Sequence, residues 1–255
     1  MHCIFCAKEG KQTREHVIPQ WLASYLGDDV GLDTSLWKRS GNSVERGRTL
    51  SRRQTDLVLR RVCTECNSGW MSRLESEARP MLIPLIAGDT IQLNPQTRRV
   101  LLRWAVKTAA VLGPLQKAPE AVGKDIRRTL ASGQNLGAEV ALWAVPTDDR
   151  DISVPHWRVG CDLGDHETPI LNITGISLGK IAFEVICLNR PDLMPAERIP
   201  PMTPLDFQYI APSSDMGSCP APDATAAGAR FSERATQIVR RMVEEGLVEA
   251  DPSGG

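Results

Sequence analysis

The sequence predicts an α+β protein in two parts: a small metal-bearing module over residues 1–80, then a mixed α+β domain over residues 95–250. Three observations predict it. Cysteine pairs at matched spacing, Cys3-x-x-Cys6 and Cys63-x-x-Cys66, frame the first part. A long apolar stretch at helical spacing, 100–112, opens the second. After Glu139 the texture changes to short apolar, β-branched runs bounded by Gly, Pro and Asp, which read as strands.

The bulk properties narrow the class. A chain of 255 residues can bury one large or two modest cores. Its 42% hydrophobic and 24% charged content is that of a globular protein rather than a disordered one. No run of about 18 apolar residues occurs, which excludes a helical membrane span. The opening Met-His-Cys-Ile-Phe-Cys lacks the basic start and long apolar core of a secretory signal. The expected location is the cytoplasm, where thiols stay reduced. Seven cysteines, four of them at paired spacing, then read as metal ligands before disulfides.

The elements follow in order. Cys3-Ile-Phe-Cys6 and the polar turn through Lys8, Glu9 and Gly10 form a knuckle. Residues 13–18 suit a short strand that Pro19 stops, and 20–26 a short helix ended by Gly27. Residues 34–49 read as two strands about a turn at Ser40-Gly41-Asn42, and 55–62 as a strand leading into Cys63. Beyond Asn67, the residues Trp70, Met71, Leu74 and Ala78 recur at helical spacing, and Pro80 should end or bend that helix. Glu75 on it is expected to be a surface charge.

Asn94-Pro95 marks a helix start, with Asn capping and Pro in the first turn. The helix over 100–112 is expected to be largely buried, with Lys107 snorkelling out of it. Another helix is expected over 121–131. Strands are expected over 139–146, 157–162, 170–178 and 180–188, with a hairpin turn at Ser177-Leu178-Gly179-Lys180. Residues 190–228, rich in Pro, Ala and Ser, read as an extended strap. Residues 231–245 read as a helix with an apolar face of Phe231, Ala235, Ile238, Val239 and Met242. Cys187 is expected to be a core thiol.

The chemistry concentrates in the first part. A tight C-x-x-C turn presents two thiolates to one metal, and two such turns complete a closed tetrahedral zinc site of Cys3, Cys6, Cys63 and Cys66. A closed site has no open position for water, so its role is structural. The 56 residues between Cys6 and Cys63 exceed ordinary zinc-ribbon spacing, so something is inserted there. The insertion contains Glu15-His16-Val17-Ile18-Pro19, and Asn67 follows Cys66 at once. If a metal draws the pairs together, a carboxylate, an imidazole and an amide converge.

That set suits phosphodiester hydrolysis. Glu15 and Asn67 offer oxygen ligands to Mg²⁺ or Mn²⁺, and His16 can take a proton from water near neutral pH. Within the same insertion, the stretch from Lys38 to Arg61 carries Lys38, Arg39, Arg46, Arg48, Arg52, Arg53, Arg60 and Arg61 against only Glu45 and Asp56. Such a cluster within the site module favours a phosphate-binding surface. A weaker basic stretch runs through Arg98, Arg99, Arg103 and Lys107. Cys161, Asp165 and His166 are too weak a pattern to predict a second metal.

The combined run Cys-x-x-Cys, Glu-His-Val-Ile-Pro and Cys-x-x-Cys-Asn resembles the HNH endonucleases, the ββα-metal branch of the treble-clef fold, over about residues 1–80. The resemblance implies a four-cysteine zinc, Glu15 and Asn67 holding a catalytic Mg²⁺ or Mn²⁺, and His16 as general base. It also implies nucleic acid, most readily DNA, as substrate, and a possible homodimer to cut both strands. Three positions depart from the family. Glu15 stands where Asp is usual. Val58 stands where a middle asparagine is usual, so that residue is absent or displaced to Asn42. Asn67 stands where His is frequent. Two other readings keep the cysteines: a non-catalytic zinc-finger module that binds nucleic acid, with Glu15 and His16 structural, and an interaction protein whose knuckle caps a larger domain.

Overall fold

A computed structural model describes residues 2–27, 31–40, 43–53, 57–115, 121–147, 152–153, 156–160, 170–188, 208–211 and 217–219, with backbone alone for 31–53, 152–160, 170–171, 208–211 and 217–219. The expected helix over 231–245, most of the expected strap, and Cys161, Asp165 and His166 lie outside these residues. Helices and strands are mixed along the described chain, in keeping with α+β. Among the described residues no helix is long and apolar enough to cross a membrane.

The first part begins with β1 (Gln12–His16), which reaches α1 (Gln20–Leu26) through the buried Val17-Ile18-Pro19. The hairpin β2 (Gly31–Ser40) and β3 (Ser43–Arg53) follows, paired up to Ser40 and Ser43. Next, β4 (Val58–Cys63) returns antiparallel to β1. A wide helical turn, Cys66–Met71, kinks at Gly69 (φ −94°, ψ −108°) and leads into α2 (Ser72–Ala87). Of the two outcomes expected at Pro80, an end does not occur: the helix runs through both Pro80 and Pro84. Proline removes a backbone donor, but Pro80 lies on the exposed side, where water can serve the freed carbonyl. The opposite side buries Leu74, Ala78, Leu82, Leu85 and Ile86, and that packing holds the helix together.

The short β5 (Ile91–Leu93) precedes α3 (Pro95–Leu115), the central helix. Its start is capped as the sequence suggests, with the Thr97 amide donating to Asn94 Oδ1 at 2.8 Å. Nearly every residue of its middle turns is buried. On one side it meets α2; on the other, Trp104 packs edge-on against Phe183 at 6.0 Å. The following α4 (Lys124–Ser132) has its C-terminal carbonyls capped by arginines of α3. Arg103 donates to Leu130 O at 2.6 Å and to Gln134 O at 2.7 Å, and Arg99 to Gly133 O at 3.0 Å. Arg98 is buried as well. The second basic stretch is thus largely engaged in the fold, although Arg99 keeps an exposed side chain.

The remaining strands are β6 (Val140–Pro146), β7 (Ile152–Ser153), β8 (His156–Gly160), β9 (Ile170–Leu178), β10 (Ile181–Leu188), β11 (Gln208–Ala211) and β12 (Gly217–Cys219). Eight strands form one sheet in the order β11-β6-β10-β9-β7-β2-β3, with β8 pairing both β2 and β9. The hairpin inserted between His16 and Cys63 thus extends the sheet of the second part, β2 running parallel to β7 and β8. An isolated two-stranded ribbon is marginal in water, and an open sheet edge satisfies its unpaired backbone. One face of the sheet, with Val140, Leu142, Ala144, Ile176, Phe183, Val185 and Cys187, joins a single hydrophobic cluster that extends to Cys3 and Phe5. Burial raises the Cys187 thiol to about 12, in keeping with a core residue.

The β9–β10 hairpin forms where the sequence places it. Leu178 pairs with Ile181, leaving Gly179 and Lys180 as the turn. Gly179 has φ +59°, and a Cβ there would lie 2.8 Å from Ile86 O and 2.9 Å from Ile86 Cγ2. The Lys180 amide donates to that same carbonyl at 3.0 Å, so the turn docks on the last turn of α2. Gly179→Ala is expected to cost about 2 kcal/mol through the left-handed backbone and the lost close approach. Urea unfolding checks this, and a loss within about 0.5 kcal/mol would remove the docking argument.

Candidate metal centre and adjoining site

The Sγ atoms of Cys3, Cys6, Cys63 and Cys66 all lie within 4.8 Å of one another. Cys6 and Cys63 are 3.7 Å apart, far beyond a disulfide bond of about 2.05 Å. A tetrahedral zinc site with Zn–S bonds of about 2.3 Å has edges of about 3.8 Å. The cluster could therefore hold a metal ion such as zinc, and it is the one such group of His, Cys, Asp and Glu among the described residues.

The local backbone is shaped for this. The Cys3 amide donates to Lys8 O and the Ala7 amide to Cys3 O, both at 3.0 Å, and Ala7 takes φ 60° to close the knuckle. The Cys63 amide donates to Cys3 Sγ at 3.5 Å. Burial raises the Cys3 thiol, but backbone donors from Cys6, Cys63 and Phe5 outweigh it and bring it down to about 7. Burial pushes the Cys66 thiol up. Two further contacts hold the knuckle: the Ile4 amide donates to Arg61 O at 3.0 Å, and Arg127 Nε of α4 donates to Ile4 O at 2.9 Å. Phe5 packs edge-on against Trp70 at 5.1 Å.

Convergence of the two cysteine pairs also joins β1 to the Cys66–Met71 turn. Asn67 Nδ2 donates to Thr13 Oγ1 at 2.9 Å, and Thr13 Oγ1 donates to Val62 O at 2.9 Å. The Asn67 amide nitrogen is thus engaged, and Oδ1 is its atom left to serve as a ligand. His16 ends β1 opposite Val58, half-buried. Among the described residues its ring has no hydrogen-bond or ion-pair partner. Val58, opposite His16 on β4, offers no polar side chain to orient the ring.

Glu15 points inward and is only 5% exposed. Lys107 does not snorkel as expected. Its side chain is wholly buried, with Nζ 2.6 Å from Glu75 Oε1 and 3.7 Å from Glu15 Oε1. Glu75, expected at the surface, is the closer partner of that ammonium. The helix pattern locates Lys107 on an apolar element, but nothing local reveals that two carboxylates lie at the end of its stem. Burial pushes the Glu15 carboxyl up to about 7; Lys107 pulls it down and Glu75 raises it again.

Arg60 and Arg61 are exposed on β4. The register between β1 and β4 slips between Thr13 and Glu15, so that both face the single residue Arg14, also exposed. Arg14 escaped the sequence reading because it lies outside the dense basic run. The side chains of Lys38, Arg39, Arg46, Arg48, Arg52 and Arg53 lie outside the described residues, although their backbone forms the β2–β3 hairpin.

No protein-family model, no curated protein and no solved structure matches this chain.

Two outcomes follow from this geometry. Purified protein should carry about one metal ion per chain by elemental analysis, and Cys63→Ser should lose both the ion and the cooperative unfolding transition. Full stability after chelation would refute the clamp. Separately, a Glu15 value above the model-peptide 4.5 means the folded chain binds more protons between about 4.5 and 7. Stability from this group is then present below that window and lost as pH rises through it. Without added Mg²⁺ or Mn²⁺, Glu15→Gln should gain on the unsubstituted chain as pH rises across the window; a pH-independent difference would contradict the burial account.

Proposed function

We propose that the chain is a zinc-scaffolded, divalent-metal-dependent endonuclease of HNH type that hydrolyses phosphodiester bonds of DNA. One observation carries the reading: the convergence of the four thiols sets Asn67 against Thr13, on the strand that continues into Glu15 and His16. In this reading zinc is structural. Glu15 and Asn67 present oxygen atoms, the donor type Mg²⁺ and Mn²⁺ prefer. A bound divalent ion would supply Lewis-acid stabilisation of the phosphoryl and leaving oxygens.

His16 takes the proton of the attacking water on an imidazole nitrogen, its ring having no partner among the described residues. Arg14, Arg60 and Arg61 hold the phosphate backbone beside that strand, so affinity should fall steeply with salt. A second reading has its own support. The Glu15 carboxylate already has the Lys107 ammonium beside it, as expected of a structural glutamate in a non-catalytic zinc-finger module.

Nicking of supercoiled plasmid separates the two. Unsubstituted protein with Mg²⁺ or Mn²⁺ should nick, and His16→Ala should lower the rate at least about 100-fold while zinc content and plasmid binding persist. Salt-sensitive binding without nicking under either metal, or equal nicking by His16→Ala, would overturn the enzyme and leave the binding module.

A further inference from the structure

The Lys107 ammonium belongs to α3, outside the segment that carries the cysteines, and reaches the candidate site from the second part of the chain. It has two carboxylate neighbours at unequal distances, Glu75 at 2.6 Å and Glu15 at 3.7 Å. Its side chain has no exposure to water, so the choice is between those two groups rather than between protein and solvent. Glu75 retains some exposure, at 21% of its side chain against 7% for Glu15. The closer contact, to the better-solvated carboxylate, survives if the longer one is given up.

We propose that Lys107 is a positioning residue that acts as an internal competitor for the divalent cation at Glu15: its ammonium stands beside the Glu15 carboxylate in the metal-free chain and withdraws wholly onto Glu75 when the cation binds. The proposal rests on the reading of Glu15 as a metal ligand. The charges support it. Two carboxylates and one ammonium leave a net negative charge when both acids are ionised, so a cation at Glu15 is attracted while the nearby ammonium opposes it. Glu75 tunes that opposition by holding the ammonium back. The competitor also couples α3 to β1, since whatever shifts Lys107 along its helix changes the availability of Glu15.

The test uses full-length, zinc-loaded protein and follows free Mn²⁺ by electron paramagnetic resonance, together with the Mn²⁺-dependent rise in Tm. Lys107→Met should lower the Kd for Mn²⁺ tenfold or more. Glu75→Gln, which leaves the ammonium only Glu15, should raise it several-fold. Adding Glu15→Gln to Lys107→Met should abolish the gain.

Unchanged or weaker Mn²⁺ binding by folded Lys107→Met overturns the competitor. Should Lys107→Met fail to fold, unchanged or tighter binding by Glu75→Gln overturns it instead. If Lys107→Met gains affinity that Glu15→Gln does not remove, the ion sits elsewhere. That result fells Glu15 as a ligand, and the competitor with it. Loss of binding in Glu15→Gln alone, with no response to Lys107→Met, fells the competitor only.

Discussion

The convergence of Cys3, Cys6, Cys63 and Cys66 is the constraint on which the rest depends. Bringing the pairs together closes a loop of 56 residues, at a cost in chain entropy of about 3.6 kcal/mol plus a constant. Four thiolates on one ion would offset that, because ligation energy becomes folding energy. The same closure aligns β1 with β4, seats Asn67 on Thr13 and gives Ile4 its partners on Arg61 and Arg127. The clamp acts together with apolar burial, since Phe5, Val17, Leu59, Val62 and Met71 from these segments share one core cluster.

The second organising feature opposes folding. A buried ammonium between two carboxylates loses hydration that its partners only partly replace, and an apolar trio of similar volume would often be as stable. Burial raises the Glu15 carboxyl to about 7 despite the Lys107 ammonium beside it, the direction this cost predicts. The surrounding helices offset it with ordinary packing: Leu74, Ala78 and Leu82 of α2 and the middle turns of α3 are almost wholly removed from water. The polar cluster therefore sits in an apolar frame that keeps Lys107 between its two carboxylates and away from water.

Legibility from sequence followed the range of the interactions. The Asn94 cap, the 20–26 helix and the β9–β10 turn were readable because each depends on neighbours a few residues away. The cysteine cluster was readable despite its span, because matched spacing is a local signature repeated at both ends. Pro80 does not end its helix, because burial of the opposite helix face holds the turns together across the missing donor. Lys107 and Glu75 misled because a side chain's partner depends on which helices pack together, and no periodicity encodes that. The joining of β2 to β7 and β8 was hidden for the same reason: parallel pairing links segments more than a hundred residues apart.

That hidden pairing bears on how the site is held. A metal-clamped module with a free-standing insertion would position Glu15 and His16 by the β1–β4 ribbon alone, and two strands are marginally stable by themselves. Here the insertion is built into an eight-stranded sheet, α4 grips the knuckle through Arg127, and α3 supplies the cation that faces Glu15. Each tie comes from beyond residue 95. The chemistry-bearing residues lie in the first quarter of the chain, but their geometry is set by the remainder. The boundary that composition draws near residue 80 separates the residue types that could do chemistry from the packing that places them, and the fold runs across it.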